Sequence, residues 1–478
     1  MRGIRDGRRK SEKSADMTEV PAAAPESCRR QRYPRPASIF AMLLSEEDRY
    51  VAGRLLKAGI QSLTFRLFSV LPVKKNKIVF TTIEGTCGYM CNPKYIAQEF
   101  IRQGLADELK GCKLKDRVQR FMAAGKTADE GYELVWLADD TAKKFPPQIR
   151  AVKNTLWNRA YELSTAKFWI DNSRKQLECR KRKGQIYIQT WHAKLGFKPT
   201  CLDRGDSFTK IAYLVSKHDS DMVDYWLSNG RWYDRTLKRG SLYKGKVLHT
   251  GSPRCDILIK ARDDAVFQER MRQGVMRSHM SHIGSVGKAA DGIHFIMYAP
   301  TFRGGSQETE RGISAETGEL DYGRLLAAMG KRFGGKWHVL LRLHPQLAAR
   351  HMASCDRNPG MTDVSGVDDM YELLAGCDAF ITDYSSAAFD ASVMQIPVFL
   401  YCDDYAGYEK ERGSLLWDLR ELPFPMAENN DELEKNIQSF DKALYLSSLE
   451  ELFSDTGMTE DGKAGRRAVR FVRNRTGR

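Results

Sequence analysis

The stretch DDMYELLAGCDAFITDYSSAAFDASVMQIPVFLY (368–401) carries the alternation that decides the fold. DDMYELLAGC (368–377) has apolar residues at helical spacing, and AFITDYSS (379–386) begins as a short apolar strand. Small residues from Ala387 onward open a second helix, and PVFLY (397–401) is a second strand. Strands that are apolar on consecutive positions and bounded by helices read as buried parallel strands. Seven more runs read the same way: KIVFTTIEG (77–85), ELVWLAD (133–139), AKFWIDNS (166–173), QIYIQTWH (185–192), KVLHTGSPR (246–254), HFIMYAPTFR (294–303) and WHVLLRLHP (337–345). Helix-length patterns such as NPKYIAQEFIRQG (92–104) lie between them. This alternation predicts an α/β protein on parallel sheets.

The strands fall into a set at about 73–200 and a set at about 245–405, with 201–244 as the connection. A chain of 478 residues is too long for one core and fits two ordinary domains with additions. The expected architecture is two doubly wound, Rossmann-type domains facing a central cleft. Residues 1–37, rich in Arg, Ser, Ala and Pro, read as a disordered basic extension. Residues 47–72 read as an amphipathic helix. An N-terminal domain over 73–244, a C-terminal domain over 245–425, and helices with a basic tail over 426–478 complete the expected division.

Basic residues outnumber acidic ones by 76 to 61, a net charge of +15, which favours phosphorylated substrates, anionic lipid or nucleic acid as partners. Nucleic acid is the weakest of these, because no platform of basic residues interleaved with stacking aromatics is present. In VAGRLLKAGIQSLTFRLFSVLP (51–72) apolar residues recur at helical spacing among Arg54, Lys57 and Arg66, and Lys74, Lys75 and Lys77 follow. Such a helix suits an anionic membrane surface, and it equally suits packing on the protein's own core. No apolar run reaches bilayer-spanning length, and no secretory leader pattern opens the chain. The ten cysteines include no C-x-x-C pair and read as reduced thiols in a cytoplasmic setting. Asp139–Asp140 and Asp403–Asp404 read as turns or caps, so no metal ligand is assigned.

In open α/β sheets ligands sit beyond the carboxyl ends of the strands. Five of the strands end there in polar clusters: Thr190, Trp191 and His192, with Lys194 close behind; Ser252, Pro253 and Arg254; Pro300, Thr301 and Arg303; Arg342 and His344; Asp383, Tyr384, Ser385 and Ser386. Two histidines, three arginines and a hydroxyl pair on one edge suit a phosphate-handling cleft. In DYSSAAFD the serines can donate hydroxyls, and the helix start can add backbone N–H groups to an anion; the same serines also make ordinary N-caps. His344 is held extended by Pro345. His192, if neutral near pH 7, can accept a proton from a hydroxyl.

QTWH, GSPRCD, YAPTFR, LRLHP and DMYELLAGCDAFITDYSSAAFD, with PVFLYCDDYAGYEKERG after it, resemble the CDP-glycerol glycerophosphotransferase family, the teichoic acid primases and polymerases. The similarity takes in IVFTTIEGTCGYMCNPKYIAQEF (78–100) and spans roughly residues 70–420 in family order. It implies a GT-B-like fold, no metal or other cofactor, CDP-glycerol as donor substrate on the C-terminal domain, and a lipid-linked or polymeric acceptor entering from the N-terminal side. It also implies peripheral attachment to the cytoplasmic face of the cell membrane. Carried over singly, His192 matches the proposed general base and Arg254 the GxPRxD arginine. Pro300 and Thr301 match the loop beside the donor, Arg342 and His344 the RxH pair suited to the diphosphate, Ser385 and Ser386 the hydroxyl pair on phosphate, and Asp390 the acid closing that motif. His192 and His344 are the catalytic candidates. Trp191, Lys194, Arg303, Asp383 and Arg412 of YEKERG join the substrate-binding set. Ala193 replaces the family glycine and the following segment shortens to AKLGFK, which narrows backbone freedom at that turn. The implied reaction is attack of an acceptor hydroxyl on the β-phosphorus of CDP-glycerol with loss of CMP. A nucleotide-sugar glycosyltransferase of the same architecture is the alternative, since fold does not fix the donor.

Overall fold

The computed structural model describes residues 45–105, 131–280, 292–301, 320–343, 360–412 and 414–476. The chain divides into two compact units, Met1–Gly53 and Arg54–Arg478. The extension expected over 1–37 lies outside the described residues. Helix α1 runs Glu46–Phe68, starting one residue before the helix read from the sequence and ending four residues short of it.

The larger unit holds two sheets whose strand pairs are all parallel. The first contains β1 (Lys74–Thr81), β2 (Glu133–Ala138), β3 (Ile149–Lys153), β4 (Ala166–Asp171), β5 (Ile186–Gln189), β6 (Tyr225–Ser228) and β7 (Lys246–His249). Their order is β3-β2-β1-β4-β5-β6-β7. The second contains β8 (Ile293–Ala299), β9 (Lys336–Leu341), β10 (Met361–Asp363), β11 (Ala379–Thr382), β12 (Val398–Tyr401) and β13 (Met426–Ala427), in the order β10-β9-β8-β11-β12-β13. Both sheets are doubly wound: the strand order reverses between β1 and β4 in the first and between β8 and β11 in the second. Such reversal points open a crevice at the carboxyl ends, so the sequence-level expectation about where ligands sit gains two specific addresses.

The nine strands read from sequence all form. The four not read, β3, β6, β10 and β13, have two to five residues. The connection expected at 201–244 instead contributes β6, and β7 pairs with β6 in the first sheet rather than with the second. Both strands are only four residues long, and β7 is an edge strand opening on exposed Lys246, so neither announces its sheet.

The far end of the chain returns to the first sheet. Helix Ala464–Thr476 places Ala468, Val469 and Val472 in the same buried cluster as Ile78, Phe80, Trp136 and Ile188. Just before it, Thr459 donates its N–H to the Asn229 carbonyl at 2.7 Å, and Asp256 accepts the N–H groups of Ala464 and Gly465 at 2.9 and 2.8 Å. Gly230 lies so close to this return that an added Cβ would stand 2.4 Å from the Gly457 carbonyl oxygen. Backbone cannot move aside as a side chain can. Gly230→Ala is therefore expected to destabilise the protein by about 1–3 kcal/mol, read as a lowered urea midpoint; an unchanged midpoint would show the return to be loosely docked.

Candidate active site

The carboxyl ends of β4, β5 and β7 face those of β8 and β11, and one arginine joins them. Arg254 is buried. Its Nη2 donates to Asp390 Oδ2 at 2.6 Å and its Nη1 to the His192 carbonyl. Tyr371 donates its hydroxyl to the same Asp390 oxygen at 2.5 Å and lies under the guanidinium, 5.1 Å from ring centre to Cζ. The Arg254 backbone N–H is accepted by Asn92 Oδ1 at 3.0 Å, while Asn92 Nδ2 donates to the Trp191 carbonyl at 2.7 Å. Residues from β5, α2 (Cys91–Arg102) and the helix Ala387–Ser392 are thus fixed by one buried ion pair.

His192 is built to act as a base. Its Nδ1 lies 2.7 Å from the Asn172 carbonyl oxygen, and a carbonyl can only accept, so Nδ1 carries the proton. The lone pair of the neutral ring is left on Nε2. The ring is open to solvent along the cleft with protein on its other sides. Burial among protein groups pushes its pKa down to about 4 despite the Asn172 hydrogen bond, and Arg254, Arg174 and Lys194 add to the fall. At pH 7 the imidazole is neutral. Trp191, stacked on it at 4.7 Å, has φ +50°, a conformation bulky residues avoid. Such strain persists only where neighbours over-determine it, and here Asn92 and Gln189 hold the Trp191 carbonyl and N–H.

Opposite lies the reversal point of the second sheet. Asp383, at the end of β11, accepts the Thr301 N–H at 2.9 Å and the Thr301 hydroxyl at 2.9 Å, tying together the loops after β8 and β11. Ser385, Ser386, Pro300 and Thr301 are half-buried at this edge. Gly196, in the loop after His192, approaches Ser386: a Cβ added there would meet the serine Cβ at 3.6 Å. The helix after the serines, Ala387–Ser392, has only six residues; the Ser386 side chain does not cap it, and Ser385 Oγ accepts the Ala387 N–H at 3.3 Å.

Several residues expected to contact substrate are engaged by protein groups in this structure. Arg342 is buried and directs its guanidinium at the carbonyls of Val364, Ser365 and Asp368, which shapes that loop. Lys194 is buried with its Nζ donated to the carbonyls of Thr190 and Leu227; burial, then Arg254, brings its pKa down to about 7. Arg254, Asp390 and Asp383 are buried in the contacts just described. In each case an ionisable group with protein partners carries the same sequence signature as one aimed at a ligand. Arg303, His344 and the Arg412 side chain lie outside the described residues.

Sequence reading passed over four contributors. Asn172 sets the His192 tautomer, and its place at a strand end was a usable signal. Asn92 and Tyr371 support Arg254, and Glu460 accepts the Ser252 N–H at 2.9 Å and Asn229 Nδ2 at 3.1 Å from more than 200 residues away, a distance no local pattern reveals. Burial pushes Glu460 up to about 7. Around the cleft Lys94 pairs with Asp369 at 2.8 Å and Glu372 at 2.7 Å, and Lys143 pairs with Asp368. Among the described residues no group of three or more His, Cys, Asp or Glu could hold a metal ion.

A family model described as CDP-Glycerol:Poly(glycerophosphate) glycerophosphotransferase matches residues 63–474. The chain is 26% identical over 408 residues to a teichoic acid poly(glycerol phosphate) polymerase of Staphylococcus epidermidis, covering 82% of this chain and half of that one. It is 26% identical over 418 residues to a teichoic acid glycerol-phosphate transferase of Staphylococcus aureus, covering 86% of this chain and 95% of that one. The fold is similar to a solved structure of the wall teichoic acid polymerase TagF, with TM-score 0.66 at 22% identity over 93% of this chain and 99% of that chain.

Removing the Asp390 carboxylate would leave the Arg254 guanidinium buried and unpaired. Asp390→Ala is expected to cost about 3–5 kcal/mol, measurable by urea unfolding. A loss below about 1 kcal/mol would mean that solvent already reaches the pair.

Proposed function

Because the chain belongs to the CDP-Glycerol:Poly(glycerophosphate) glycerophosphotransferase family, it is a transferase, and we propose that it moves glycerol phosphate from CDP-glycerol to a hydroxyl of a lipid-linked or polymeric acceptor, releasing CMP. The observation that carries the mechanism is the exposed His192 residue, its ring fixed by the Asn172 carbonyl at Nδ1 so that Nε2 is the nitrogen left to accept a proton. The acceptor hydroxyl gives its proton to Nε2 as its oxygen attacks the β-phosphorus; the bond to the bridging oxygen breaks and CMP leaves with the electron pair. Ser385 and Ser386 donate to phosphate oxygens, with Thr301 and Pro300 beside them and His344 and Arg303 as further donors. Preorganised donors of this kind carry most phosphoryl-transfer catalysis. His192→Ala is expected to lower CMP release by about 10²–10⁴-fold, with binding of CDP-glycerol retained; release at the wild-type rate would remove His192 from the mechanism.

The same ring sets a pH dependence. Its folded-state pKa lies below the ordinary 6.5, and the neutral form is the active one. Activity is therefore full above the pKa and lost as pH falls through it. The acid limb of kcat/KM should lie below pH 6.5, and a limb at or above 6.5 attributable to His192 would contradict the burial argument.

We further propose that the enzyme works at an anionic membrane surface, on the cytoplasmic face, through α1. Ala58, Ser62 and Phe65 form its buried stripe, while Leu56, Ile60, Leu63 and Leu67 form a second stripe on the other side, each more than half exposed. The helix packs on the protein while keeping an apolar face outward, which supports the membrane-surface reading. Exposed Lys57, Arg66, Lys74 and Lys75 border it, and exposed Trp157 packs edge-on to Phe68 at 6.1 Å. No described helix is long and apolar enough to cross a bilayer. Changing the four outward residues to serine should reduce co-sedimentation with vesicles containing phosphatidylglycerol by at least about 100-fold in partition coefficient. Undiminished binding would place the membrane contact elsewhere.

A further inference from the structure

The turn Asn172–Ser173–Arg174 follows β4 and borders His192, and it holds polar groups that the mechanism does not use. Arg174 stacks on Trp191, 4.8 Å from guanidinium carbon to ring centre. Its Nη2 contacts the Cys201 thiol at 2.6 Å, and its Nε is buried with no partner. Four neighbouring buried or half-buried cations are matched to acids, Arg254 to Asp390, Lys175 to Asp171, Arg159 to Glu178 and Lys94 to Asp369, while Lys194 is held by two backbone carbonyls. Among the described residues no carboxylate lies within ion-pair distance of Arg174. Two residues earlier, Asn172 is fully buried. Its Oδ1 accepts the Ile83 N–H at 2.8 Å, which fixes the amide orientation and leaves Nδ2 without a partner. Unmatched donors and an uncompensated cation are costly in a protein interior, and this one stands at the edge of the cleft beside the base.

Resting on the reading of the first sheet as the acceptor side, we infer that Arg174 and its turn form a subsite for a phosphate group carried by the acceptor, one unit from the attacking hydroxyl. The planar guanidinium, steadied against the Trp191 indole, keeps its Nη1 donors for a phosphate oxygen, with Nη2 beside them on the Cys201 thiol. The bound anion supplies the counter-charge that the fold leaves out. Because Trp191 also stacks on His192, filling the subsite presents the neighbouring hydroxyl to the base. A phosphate-bearing polyol is then the preferred acceptor over a neutral sugar.

The test uses the full chain with sn-glycerol 3-phosphate as probe, CDP-glycerol as donor, and two acceptors: a short glycerol phosphate oligomer and a neutral disaccharide glycoside. By calorimetry Arg174→Gln should weaken glycerol 3-phosphate binding by about tenfold or more. In CMP-release kinetics it should raise KM for the oligomer by a similar factor and leave KM for the neutral glycoside in place. Arg174→Lys, which keeps the charge and loses the fork, should fall between and guards against a folding defect in the glutamine variant. CDP-glycerol should bind both variants as it binds the wild type and should not displace glycerol 3-phosphate. Equal binding of the probe by wild type and both variants overturns the inference, as does a parallel loss of CDP-glycerol affinity, which would assign Arg174 to the donor. Absence of turnover by the wild type with either acceptor would count against the transferase reading alone, since the binding arm needs no reaction.

Discussion

The Arg254–Asp390 pair is the constraint on which the site depends. It is the point where the loop bearing His192, the motif after β7 and the helix after the serine pair meet in a water-excluded space. A buried pair of this kind adds little net stability over apolar packing, but it tolerates few alternative geometries, because each displaced donor or acceptor is left unsatisfied. Tyr371, Asn92 and the His192 carbonyl add to its hydrogen bonding, so moving any one of them disturbs all three loops. The distance between base and phosphate-side hydroxyls is thereby written into the interior rather than left to the surface.

This separates two kinds of polar residue that look alike in sequence. Arg254, Asp390, Arg342, Lys194 and Asp383 are ionisable groups at strand ends, and each is occupied by protein partners. Ser385, Ser386, Pro300 and Thr301 are the less conspicuous ones, and they remain at the open edge. Charge density in the motifs therefore measures how much architecture the cleft needs as well as what it binds. Arg174 differs from both groups because it is partly buried and is held by neither an acid nor a carbonyl, only by the Trp191 ring and the Cys201 thiol.

The α/β class, the parallel sheets and nine of the strands were legible because apolar runs between helices leave few alternatives. His192 was legible as the polar end of β5, and the ordered motifs pointed to the family. What stayed hidden depended on separation along the chain. Nothing local in YWLS or KVLH says that these strands extend the first sheet, and nothing in the segment around Glu460 says that it returns to hold Ser252. The tautomer of His192 was equally out of reach, since it rests on a backbone carbonyl, an atom every residue possesses. Its direction follows only once β4 and β5 lie side by side.

The replacement of glycine by Ala193 gains meaning from the same geometry. The strained residue in this loop is Trp191, with φ +50°, and the close approach to the serine loop falls on Gly196. Ala193 has no positive φ, so the turn needs no glycine there. The loop instead places its demand two residues earlier, where an indole held in a rare conformation can lie against both the imidazole and the Arg174 guanidinium. A shorter loop on the acceptor side and a scaffold held by buried polar contacts beneath the donor side are then complementary. One side is fixed by the Arg254–Asp390 pair, and the other is held by stacking, with the Arg174 charge left for the substrate to match.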